Sequence, residues 1–104
     1  MPDITDQWRP VPSTDIVSTI VGKTVLYDDG NSQVFAAEGT TLYVDRGHDT
    51  HGGWRVRDGL FESVWPPFQR WDGYRIEISA VGERIRFLSP HGSIFGGRFA
   101  APAD

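Results

Sequence analysis

From Lys23 onward, short apolar runs alternate with turn residues at intervals of about ten, the spacing of an all-β sandwich or barrel. Inside two of the runs apolar residues alternate with mostly charged ones. Tyr74, Ile76 and Ile78 interleave with Arg75, Glu77 and Ser79, and Ile85 and Phe87 with Arg84, Arg86 and Leu88. Successive side chains of a strand point to opposite faces, so these strands bury one face and wet the other. The pattern predicts eight strands, at 24–27, 33–37, 41–45, 54–57, 60–65, 71–80, 84–88 and 93–99. Asp28 to Asn31 and Asp58 with Gly59 are residues that supply the positive φ angles of tight hairpins. Arg46 to Gly52 reads as a polar, mobile loop with no apolar anchor. At Trp65-Pro66-Pro67-Phe68 the ladder must break, because adjacent prolines remove two backbone donors.

Ahead of the strands, residues 1–12 carry Pro2, Pro10 and Pro12 and read as an extended arm, with Trp8 as an anchor onto the body. Ser13 or Thr14 can cap a short helix that ends at Gly22, with Asp15 in its first turn. Ile16, Val17 and Ile20 give this helix one apolar face, suited to plug or cover a small barrel. Sequential antiparallel strands without crossover helices imply a meander, and closing it removes edges that invite aggregation. The expected architecture is one all-β domain over residues 13–99, an antiparallel meander of about eight strands forming a small barrel or half-barrel, with residues 100–104 as a tail.

Composition narrows the functional classes. At 104 residues a second core would leave both halves too small to bury much surface. A net charge of -4 offers no broad basic field, so nucleic acid is not an expected partner. Nine of the ten basic residues are Arg, with Lys23 the exception, a bias that suits carboxylate or phosphate recognition but also follows from a GC-rich genome. The chain has no Cys, which excludes disulfides, thiolate metal sites and thiol nucleophiles. Met1 to Pro10 contains no basic region followed by an apolar run, and nothing approaches the length of a membrane span. A cytoplasmic protein with no membrane partner is expected.

Gly53-Trp54-Arg55, Gly59-Leu60-Phe61, Trp65-Pro66 and Gly73-Tyr74-Arg75-Ile76 stand in an order similar to a family of small proteobacterial lipocalin-like β-barrel proteins. Arg84-Ile85-Arg86-Phe87, Gly92 and Gly97-Arg98-Phe99 resemble the end of the same pattern. The likeness covers residues 22–99 and implies a small lipocalin-like barrel of bacterial origin; it carries over no functional residues. Exported members have cysteines near the Trp-Pro element, whereas this chain has Glu62 and Asp72 there, a departure that fits a reducing compartment.

The aromatic set Trp54, Phe61, Trp65, Phe68, Trp71 and Tyr74 is the most informative chemical feature. Such rings either line a barrel mouth that holds a small apolar or planar ligand, or are the core of a small domain that needs large side chains. Trp65, just before the prolines, is the strongest candidate for a pocket wall. Arginines 55, 57, 75, 84 and 86 would make a cationic site for a carboxylate or phosphate if several pointed inward, but alternation turns Arg75, Arg84 and Arg86 outward, where pairing with Glu62 or Glu77 is the ordinary outcome. Arg98 is the exception, because a bulge at Gly96 and Gly97 would turn it inward toward a ligand. His48, Asp49 and His51 match no zinc spacing, so no metal and no cofactor are expected. His91 sits in a turn and becomes a candidate base only if that turn folds over a pocket. Ser63, Ser89 and Ser93 lack the elbow of a catalytic serine.

These observations support a binding domain that holds a small molecule or peptide at an aromatic-lined mouth, with ligand contacts from Trp54, Phe61, Trp65, Trp71, Tyr74 and Arg98. The alternative is a small lyase, isomerase or cyclase that excludes water, with Glu62 or Asp45 as base, Tyr43 or Tyr74 as acid and His91 as a further candidate. A third reading is a homodimer formed through open meander edges and the exposed aromatic loop around Phe68.

Overall fold

The computed structural model describes residues 7–100; the outer parts of the arm (1–6) and of the tail (101–104) lie outside the described residues. Nine strands and one helix follow in chain order: β1 (Trp8–Pro10), α1 (Ser13–Ile20), β2 (Thr24–Tyr27), β3 (Ser32–Phe35), β4 (Thr40–Asp45), β5 (His48–Arg57), β6 (Leu60–Val64), β7 (Asp72–Ser79), β8 (Arg84–Leu88) and β9 (Ile94–Phe99). Each of β2 to β9 pairs antiparallel with its neighbour in sequence, and β2 also pairs with β9 through Val25↔Phe99, Leu26↔Arg98 and Tyr27↔Gly97. The eight strands therefore close into an up-and-down barrel. Closure removes the open meander edges on which the homodimer reading rested. Phe68 remains 73% exposed in the loop after β6.

Part of the expected arm belongs to the sheet. β7 runs past β6, which pairs only with Asp72 to Tyr74, and β1 takes up the overhang through Trp8↔Ser79, Arg9↔Ile78 and Pro10↔Glu77. On the outer surface the Arg86 guanidinium lies 4.2 Å from the centre of the Trp8 ring and bonds Glu77 at 2.6 Å. Trp8 thus anchors the arm by a cation–π contact as well as by pairing.

From β1 the chain drops into α1, which closes the lower end. Pro12 is its N-cap and no side chain caps it, so neither Ser13 nor Thr14 plays the expected role. Instead the Ser18 and Thr19 hydroxyls donate to the Asp15 carbonyl. Ile16 and Ile20 are 1% and 0% exposed while Val17 is 49% exposed, so the plugging face is an i, i+4 stripe, narrower than expected. Gly22, at φ 76, turns the chain into β2.

Above the helix, Phe35 is the hub of the core. Its ring meets Phe61 and Trp54 edge-on at 5.7 and 6.2 Å, and Phe61 reaches Phe87 at 5.3 Å. Val25, Ile76 and Ile85 complete the layer. Edge-to-face pairs of this kind add about 0.5–1.5 kcal/mol each beyond the area they bury.

The largest departure from the sequence expectation is at Arg46 to Gly52. There is no mobile loop. Arg46 and Gly47, at φ 53 and 82, make a two-residue turn, and β5 begins at once, with Asp45↔His48 and Tyr43↔Thr50 in register. Paired positive φ angles match the right-handed twist of the flanking strands, which is what a tight hairpin requires. His48, Asp49 and His51 are accordingly exposed strand residues at the upper rim. Among the described residues no group of three His, Cys, Asp or Glu side chains is placed to hold a metal ion. No helix among them is long and apolar enough to cross a membrane.

Candidate functional site

An eight-stranded barrel is just wide enough to be filled by its own side chains or to hold one small ligand. Here both occur, at different heights. The helix, Phe35 and Trp54 fill the lower half, while the upper half, under the β2–β3, β4–β5 and β8–β9 turns, encloses an open cavity of about 450 Å³. Phe61 and Phe87 form its floor, shared with the core below.

The walls follow from strand phase. Val25 and Phe35 point inward in the lower half, so two residues further up their strands Tyr27 and Gln33 also point inward, as does Tyr43 above Thr41 on β4. Tyr27 and Tyr43 stand 6.0 Å apart, and Tyr43 meets Trp65 at 6.0 Å, nearly perpendicular. Tyr74 and Phe95 form a second edge-on pair at 6.0 Å on the opposite side. Trp65 lies flat against β5 only because Gly52 is there: a Cβ at that position would fall 2.6 Å from the indole ring.

A short polar chain runs up one wall. The Tyr27 hydroxyl donates to Gln33 Oε1 at 2.6 Å, Gln33 Nε2 donates to Thr41 Oγ1 at 2.8 Å, and Thr41 donates to the Val34 carbonyl at 2.7 Å. Asn31 Nδ2 donates to the Tyr43 hydroxyl at 2.8 Å and to Asp29. These bonds fix the orientation of two phenols and one amide that line the cavity. Burial pushes the Tyr27 phenol far above the ordinary tyrosine range, reinforced by Tyr43, Tyr74 and Asp29; burial followed by Asp72 raises Tyr74 as well. Both stay neutral at physiological pH. Among the described residues no buried side-chain polar atom lacks a hydrogen bond. The Ser63 hydroxyl, on a residue 3% exposed, bonds no other described residue, so it is reached from the cavity itself.

Of the residues expected at the mouth from sequence, Phe61, Trp65 and Tyr74 line the cavity. Trp54 does not: it is 6% exposed in the lower core, and its indole N–H donates to the Ala36 carbonyl at 2.9 Å. Trp71 lies outside the barrel, with the Arg55 guanidinium 3.8 Å from its ring centre. Arg98 also faces out, because the β8–β9 register runs unbroken from Leu88↔Ile94 to Arg84↔Arg98, leaving no bulge to turn it. The inward position beside it is Gly97, where a Cβ would meet the Leu26 carbonyl oxygen at 2.5 Å.

The candidate catalytic set is dispersed as well. Glu62 is on the outer face, paired with Arg55 at 2.7 Å, and Asp45 is exposed beside Arg46. His91 is an exposed turn residue that borders an outer groove with Trp71, Asp72 and Ser93, separated from the cavity by the Tyr74–Phe95 pair. The sequence reading missed Tyr27, Gln33, Thr50 and Ser63 as lining residues. The signal was present for Tyr27, Gln33 and Ser63, since each lies two residues from a core residue on its own strand: Val25, Phe35 and Phe61 respectively.

Comparison with protein-family models, with curated proteins and with solved structures finds no match to this chain.

Proposed function

We propose that the chain binds one small, planar, largely apolar molecule in the upper half of its barrel. The observation that carries this reading is the cavity itself. A domain of this size has little interior to spare, yet it keeps about 450 Å³ open directly above a well-packed core. The volume lies within the range of about 300–1,000 Å³ typical of ligand pockets. Its lining has their usual composition, aromatic walls with a few fixed polar groups: Tyr27, Gln33, Tyr43 and Ser63.

The water-excluding enzyme needs a base in the interior, and neither Glu62 nor Asp45 is there. The phenols that do face the cavity hold their protons and serve as hydrogen-bond donors or acceptors. Kinship with the small proteobacterial lipocalin-like barrels and a cytoplasmic setting belong to the same proposal, supported by the closed meander and the cysteine-free sequence.

Enlarging Ser63 tests the proposal. Ser63→Leu puts a larger side chain at a position that lines the cavity, so it reduces the space open to a ligand. It is expected to abolish binding of planar aromatic fragments, measured by calorimetry, while the thermal midpoint holds or rises. Retained affinity in Ser63→Leu would show that the fragments bind elsewhere and overturn the assignment.

A further inference from the structure

The charges around the cavity are one-sided. Asp28 and Asp29 stand at its mouth, and among the described residues no Lys, Arg or His lines it. Asp28 is already engaged from outside by Arg84, whose guanidinium reaches its two carboxylate oxygens at 3.1 and 3.2 Å. Asp29 has no basic partner among the described residues; it accepts only from the Asn31 backbone N–H and side-chain amide, at 3.0 and 3.2 Å. Its negative charge is therefore uncompensated at the mouth of an apolar chamber.

Tyr27, Tyr43 and Trp65 line the same cavity, their ring centres 6.0 Å apart from Tyr27 to Tyr43 and from Tyr43 to Trp65. Aromatic faces carry the negative end of a quadrupole and attract organic cations, most strongly where water is excluded. A buried anion would meet no charged donor here and would be repelled by Asp29. Deeper down, the Ser63 hydroxyl, on a residue 3% exposed, offers a hydrogen bond that no other described residue uses.

We infer that the ligand is an organic cation, an aromatic ring carrying an ammonium group, with the ring in the barrel and the charge held between Asp29 and the Tyr27–Tyr43–Trp65 faces. This rests on the cavity being a binding site and adds the charge class of its occupant. The ring fills the apolar floor over Phe61 and Phe87, and a short aliphatic link brings the nitrogen up to the mouth.

Phenethylamine, phenethyl alcohol and hydrocinnamate share a ring and differ in charge, and titration of the full chain followed by tryptophan fluorescence compares them. The amine is expected to bind roughly tenfold more tightly than the alcohol, and the carboxylate more weakly than either. Asp29→Asn keeps the acceptor for the Asn31 N–H, so the turn is retained, and it should collapse the amine-to-alcohol ratio toward one. Glu38→Gln removes the same charge from the lower turn between β3 and β4 and should leave that ratio as it is. If hydrocinnamate binds as tightly as phenethylamine, or if Glu38→Gln lowers the ratio as much as Asp29→Asn, the cation assignment is wrong and the cavity proposal stands. If none of the three probes binds, or if Ser63→Leu binds them all as before, the cavity proposal fails and this inference fails with it.

Discussion

Tyr27 occupies the boundary between packed core and open cavity: its ring contacts those of Phe87 and Tyr43, and its hydroxyl is tied to Gln33. Burial holds its proton far more tightly than in the unfolded chain, and this sets a pH dependence with a definite sign. The unfolded chain releases the proton near pH 10 and the folded chain only well above that, so the associated stability is complete below about pH 10 and lost as the pH rises further. Urea unfolding at increasing alkalinity should show this decline, and Tyr27→Phe should flatten it. The same substitution leaves Gln33 without its donor, at a cost of about 1–3 kcal/mol at neutral pH. Gly52 invites a second measurement. In Gly52→Ala the new methyl meets both the Trp65 ring and the Val64 carbonyl, each at 2.6 Å, and the second is backbone and cannot step aside. Overpacking of this kind costs about 1–3 kcal/mol, and the displaced indole should shift its fluorescence emission.

Among the elements, α1 and β5 teach opposite lessons. The helix stripe of Ile16 and Ile20 was legible because both residues are buried and the 3.6-residue period has a face to report. Removing either is expected to be severe: Ile20→Ala should cost about 2–5 kcal/mol by chemical denaturation. Because the plug is at the far end from Asp29 and Trp65, affinity for a cavity ligand should hold within about a factor of two. By contrast, the upper half of β5 was illegible. His48 to His51 extends above the packed layer, so neither face is buried and alternation has nothing to select. Its strand character comes from pairing with β4 and from the Arg46–Gly47 turn, which lacks the usual Asn or Asp. The aromatic residues were ambiguous for a related reason. Phase puts both Trp54 and Phe61 inward but says nothing of height, and height decides which of them sees the cavity. Trp71 was beyond reach altogether, since its place is set by Arg55 and by the bare surface of Gly53 on another strand.

For the molecule as a whole, the barrel depends on its last strand. β9 bridges β8 to β2, joining the end of the chain to its first hairpin, and it brings Ile94, Phe95 and Gly96 to the cavity wall. A chain ending at Leu88 would leave β2 and β8 as bare edges and open the core at Val25 and Ile85. Cooperative unfolding should be lost in that truncation and light scattering should report association, because unpaired edges template one another. The expectation of an all-β meander curling into a barrel or half-barrel came from the turn spacing and the alternation of β7 and β8, which were enough to order the strands. Whether the inside would be solid or partly hollow depended on how far the helix rises, a quantity set by packing in three dimensions.

The division of the interior into a plugged floor and an open upper chamber places packing and cavity lining largely on different residues, with Phe61 and Phe87 shared between them. Ile16, Ile20, Phe35 and Trp54 hold the chain together, whereas Asp29, Tyr43 and Ser63 line the open chamber. Exposed rim positions such as Asp29 and Thr50 can therefore change without touching the packed layer, so the lining of the chamber can be rewritten by evolution or by the engineer while its foundation stays put.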